Sequence, residues 1–293
     1  MKIEHILVIS DQQDKEQKAL ARAKLMVERH GAKLHIVAFS YEHLQGLSAS
    51  LSKEQMVEAQ KQILLSHNKW LNKQIVKHDL EQNATSEVLW EKNISAWLKQ
   101  HCKLTSYDLI IKTGHRSEGP FYTPTDWHIL RNGLVPVLLV AEKRWRRKQA
   151  IMVALDMATR SRTKQALNQK LVDAGIKFST SMQMPLHFCF SVPISPILKD
   201  IGFIDTTEAV QKARKKYIPR IQKMVGDHPI PVENIHINDG EAEKVIPSTA
   251  SDIGASLVII GTVGRKGLKA KLLGNTAEEV LTLLKTNILV IQP

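Results

Sequence analysis

The hexapeptide Ile6-Leu7-Val8-Ile9-Ser10-Asp11 returns 145 residues later as Ile151-Met152-Val153-Ala154-Leu155-Asp156, an apolar run that again ends in aspartate. Leu109-Ile110-Ile111 is matched by Leu257-Val258-Ile259 at an offset of 148, and Val137-Leu138-Leu139-Val140 by Ile288-Leu289-Val290-Ile291 at 151. Three strand-like runs in one order, with little drift in spacing, make the chain a tandem duplication. The expected domains are 1–146 and 147–293, each close to the common size of a single domain.

Each half alternates short apolar runs with helical stretches. In the first, strands are expected at Ile6, Leu34–Phe39, Ser86–Trp90, Leu109–Ile111 and Val137–Val140. Helices are expected at Lys15–His30, Lys53–His78, Ile94–Lys103 and Trp127–Asn132. The second half repeats the strands at Ile151–Leu155, Leu186–Phe190, Ile235–Ile237, Leu257–Ile260 and Ile288–Ile291. Continuous apolar strands between helices predict an α/β fold: two tandem, doubly wound, parallel-sheet domains of Rossmann-like type. Ligands of such sheets sit beyond the carboxyl ends of the strands, so the residues after strands one and four are the place to look for chemistry. The two last strands would otherwise leave open edges, which predicts an intramolecular pseudo-dimer and leaves a homodimer open.

The 43% hydrophobic and 24% charged residues are a globular balance, and no apolar run approaches the roughly 18 residues of a membrane span. With no secretion signal in the first residues, a cytoplasmic protein is expected. Cys102 and Cys189 stand alone and are read as buried, reduced thiols, with no metal site. The net charge of +12 is spread over both halves, 21 basic against 16 acidic residues in 1–146 and 20 against 13 in 147–293. It would attract a polyanion, and nucleic acid enters as a partner only on that ground. The dense run Lys143–Lys148 reads as an interdomain linker or, with Trp145 as a stacking surface, as a polyanion patch.

After the fourth strand of the second half come Gly261-Thr262-Val263-Gly264, nine residues, and Gly274-Asn275-Thr276-Ala277-Glu278-Glu279. Paired glycines at a strand end let the backbone approach a ligand with its N–H groups bare, and the start of the last helix suits a phosphate. Thr276 and Glu279 also have the spacing of a capping box, and Asp156 at the end of strand one equally suits a loop cap. The pattern is neither a Walker A loop nor a dinucleotide fingerprint.

This sequence resembles the universal stress proteins, in particular their tandem-domain bacterial type. The nucleotide-binding members carry G-x-x-G, nine residues and G-[S/T]; Gly261, Gly264 and Gly274 match, as does Asp156 for the family's acid. Phe121-Tyr122-Thr123-Pro124-Thr125-Asp126-Trp127-His128 adds to the likeness. The resemblance implies a stress-response protein that binds ATP or a related adenine nucleotide, with Mg²⁺ as an accompanying ion, and signals occupancy to a protein partner. Adenine and ribose would lie near Asp156 and the second strand, and phosphates on the glycine loop and the Asn275–Thr276 end. Arg265, Lys266, Lys269 and Lys271 would screen charge. Asn275 departs from the pattern, which has a hydroxyl residue there.

The first half has lost the equivalent machinery: Thr113 and Arg116 stand for the glycines, and Thr123-Pro124-Thr125-Asp126 for Gly274–Ala277. Asp126, read as a helix cap, could also be imagined with His115 and His128 as a metal ligand. No catalytic nucleophile, base and orienting acid can be assembled, so weak ATP hydrolysis is the most that is expected. The alternative is a scaffold, or a carrier of small apolar ligands, on a drifted fold.

Overall fold

The computed structural model describes residues 2–11, 13, 15–47, 50–114, 126, 129–130, 135–141, 149–262 and 275–293. The chain divides into two compact units, one holding the first five strands and the other the last five strands described.

In the first unit the order is β1 His5–Ile9, α1 Lys18–His30, β2 Lys33–Ser40, a 3-10 turn Leu44–Leu47, α2 Lys53–Lys77, β3 Ala84–Trp90, α3 Ile94–Leu104, β4 Leu109–Thr113 and β5 Val137–Val140. Its strands lie in the order β3-β2-β1-β4-β5, all parallel. The second unit runs β6 Ile151–Ala154, α4 Arg162–Met182, β7 Leu186–Val192, α5 Pro196–Asp200, α6 Thr206–Val225, a 3-10 turn Val232–Asn234, β8 Ile235–Asp239, α7 Ala242–Asp252, β9 Leu257–Gly261, α8 Asn275–Leu283 and β10 Asn287–Ile291. Its order is β10-β9-β6-β7-β8, again parallel. The doubly wound α/β reading therefore holds in both halves.

Continuous apolar runs become buried strands: every residue of β4, β5, β6 and β10 is buried. Edge strand β3 is only half-buried, and its Thr, Ser and Glu residues fit that place. Cys189 is buried as expected, but Cys102 is only partly so; both are free thiols, and burial pushes each up to about 11. Among the described residues no helix is long and apolar enough to cross a membrane. The helix expected at Trp127–Asn132, the basic run Lys143–Lys148 and the 146/147 boundary lie wholly or largely outside the described residues.

Register confirms the repeat residue by residue. Ile6 pairs with Leu109 as Ile151 does with Leu257, and Thr113 pairs with Val140 as Gly261 does with Ile291. The next amide repeats too: Gly114 N–H donates to Val140 O at 2.9 Å, and Thr262 N–H to Ile291 O at 3.0 Å. Thr113 therefore stands where Gly261 does, and Asp11 where Asp156 does.

Candidate functional site

The carboxyl ends of the first and fourth strands of each half lie side by side, because β1 pairs with β4 and β6 with β9. In both halves the aspartate that follows the first strand has its backbone clamped by an amide from the next helix. Asn168 Oδ1 accepts from Asp156 N–H at 3.2 Å, and its Nδ2 donates to Asp156 O at 2.9 Å. Gln17 does the same for Asp11, at 3.1 and 3.3 Å. Neither amide stands out in the sequence, since Gln17 follows its aspartate by six residues and Asn168 by twelve.

The carboxylates diverge. Asp11 is 3% exposed and accepts from Thr113 Oγ1 at 2.7 Å. One residue before Thr113, Lys112 sits in a strand interior and reaches Asp126 Oδ1 at 2.6 Å, with the two side chains 8% and 0% exposed. Lys112 Nζ also donates to Thr113 O at 2.9 Å. Asp126, expected as a helix cap, is the buried anion of this pair. The first half closes its strand ends with compensated charges.

In the second half those positions hold Ile260 and Gly261. The Asp156 side chain is 46% exposed and meets Lys164 Nζ at 3.0 Å, itself 45% exposed, a contact that water screens heavily. Thr262 Oγ1 is buried, and among the described residues it has no hydrogen-bond partner, an arrangement that costs free energy unless another group answers it.

Gly261 is also where β9 meets α4. A Cβ there would lie 2.7 Å from Leu167 Cδ2 and 3.2 Å from Leu171 Cδ1, both on α4. The glycine is needed for α4 to pack on β9. Gly264 and Gly274 lie outside the described residues, as do Arg265, Lys266, Lys269, Lys271, His115, Arg116 and His128. Asn275 and Thr276 are the first two residues of α8, but their side chains, and with them the expected capping box, also lie outside.

A further polar pair was not foreseen: His187 Nδ1 and His236 Nε2 are 2.9 Å apart with rings nearly parallel. Burial, then the neighbouring His236, lowers His187 to about 4, which favours its neutral ring. Among the described residues no three His, Cys, Asp or Glu side chains group as a metal site.

The Universal stress protein family matches residues 2–141 and again 149–292. The chain belongs to the universal stress protein family. Universal stress protein E homolog of Haemophilus influenzae is 32% identical over 304 residues, covering 100% of this chain and 98% of the relative. Universal stress protein E of Escherichia coli K12 is 30% identical over 302 residues, covering 99% and 94%. A crystal structure of a putative universal stress protein from Pseudomonas aeruginosa UCBPP-PA14 aligns with a TM-score of 0.71 at 26% identity, covering 99% of this chain and 94% of that one. The chain is thus two tandem universal stress protein domains, and its duplicated strands are the family fold used twice.

Proposed function

We propose that the second half binds one adenine nucleotide, ATP or a close relative, and that the protein passes its occupancy to a protein partner in a stress response. The observation that carries this reading is the contrast at the strand ends: Asp156 is open to solvent on a clamped backbone, and the Thr262 hydroxyl at the end of β9 has no partner among the described residues, whereas Asp11 is sealed by Thr113. Asp156 would accept hydrogen bonds from ribose hydroxyls or the adenine amino group. Gly264, Gly274, Asn275 and Thr276 would offer N–H groups and the positive end of α8 to the phosphates, with Gly261 setting the turn. Lys164 would follow the phosphate charge, and Mg²⁺ enters only as a counter-ion. These residues fit a nucleotide; those of the first half do not.

Calorimetric titration of the full chain with ATP tests the reading, with one site per chain expected. Asp156→Ala removes a charged acceptor, about 1.5–3 kcal/mol, and should weaken binding roughly 10- to 100-fold. Asn275→Ser should bind as well as the parent or better. No heat of binding, or two equal sites, would overturn the assignment. A scaffold role would then take its place, favoured by the exposed apolar side chains of Ile197, Ile201 and Phe203, 72%, 67% and 78% exposed.

A further inference from the structure

The first half, closed at β1 and β4, is open at β2 and β3. Beyond their carboxyl ends lies a cavity of about 750 Å³. Its apolar wall is Tyr41, just past β2; Trp90, the last residue of β3; Leu44 of the 3-10 turn; and Leu51, Met56 and Val57 at the start of α2. That volume is within the range of small-molecule sites.

Two features mark the space as unfilled. Helix α2 runs 25 residues, yet its first buried residue is His67, followed by Leu71 and Ile75. The apolar side chains of its opening turns therefore lack a full covering, with Val57 67% exposed, and Tyr41, just past β2, is 40% exposed. Secondly, the wall holds two aromatic rings, Tyr41 and Trp90, 5.7 Å apart and tilted at 50°, together with Met56, an adaptable thioether. Charge narrows the chemistry. Lys53 and Glu42 line the cavity, and Lys92, outside the lining, holds its Nζ 5.7 Å from the centroid of the lining Tyr41 ring, so two ammonium groups and one carboxylate lie in or next to the wall.

We propose that this cavity binds a flat aromatic molecule carrying one anionic group. The rings would be stacked by Trp90 and Tyr41, and the anion would be met by Lys53 and Lys92. A triphosphate is the wrong guest, since its charge would face Glu42.

The test uses 8-anilinonaphthalene-1-sulfonate, an aromatic monoanion, titrated into the full chain by fluorescence and calorimetry. One saturable site per chain is expected. Val57→Glu, at an exposed position that leaves the urea midpoint unchanged, should weaken the probe at least tenfold, and Lys53→Glu several-fold. Asp156→Ala should leave probe binding intact, and Val57→Glu should leave ATP binding intact, so each site can fail alone. Unsaturable binding, equal affinity in Val57→Glu, displacement by ATP, or loss of the probe in Phe203→Asp but not in Val57→Glu would each overturn the proposal.

Discussion

Lys112-Thr113 and Ile260-Gly261 occupy the same two positions of the same strand, in register and hydrogen bonding alike, yet one pair closes its strand ends and the other does not. Closure takes four side chains acting as two compensated sets: Thr113 satisfies the buried Asp11, and Asp126 neutralises the buried Lys112. Neither set survives alone, since a buried charge without its partner is far costlier than no charge. The open half avoids the problem by placing Ile260 in the core and leaving Asp156 in water. Its glycine answers to a different neighbour. Leu167, one residue before the clamping Asn168, fills the space a Cβ would need.

The sharpest way to break this comparison is Asp126→Ala. Stranding Lys112 should cost about 3–5 kcal/mol in urea unfolding, while the double variant Lys112→Ile, Asp126→Ala should regain most of it. Asp156→Ala, at the open end, should move stability by no more than about 0.5 kcal/mol. Equal losses at the two aspartates would erase the distinction between the halves.

Next in size is Gly261→Val, which should cost about 1–3 kcal/mol through overpacking against Leu167. In a cycle with Leu167→Ala the two costs should be less than additive, by about 0.5–3 kcal/mol, because the smaller side chain makes room for the larger one. Strict additivity would show that the glycine serves something other than α4.

The finest test sets Thr113→Val against Lys164→Ala. Removing the hydroxyl leaves a buried carboxylate short of a donor, for about 1–3 kcal/mol, whereas the exposed pair at Asp156 should yield at most about 1 kcal/mol. Unfolding curves that rank them the other way would mean Asp11 has water access.

The duplication and the parallel sheets were legible because strand burial is written in short apolar runs, and the strand ends shifted by only a residue or two. Helix α1 starts at Lys18, not Lys15, because the Gln17 side chain bonds the backbone at Asp11 and provides no cap. The Lys112–Asp126 pair was hidden, since a lysine following an apolar run reads as the strand's exit to solvent. Gly261 was visible, but its contact with α4 was not: only the packing reveals that Leu167 comes within 2.7 Å of a Cβ built there.

The amide clamp on the aspartate backbone has a longer reach. Gln17 and Asn168 bond the N–H and C=O of the aspartate in both halves, so the main chain at that residue is held whether its carboxylate is buried or exposed. Side chains at these strand ends can therefore be exchanged on a fixed frame, and a duplicated gene can let one copy drift to a new chemistry while the backbone that presents it stays put.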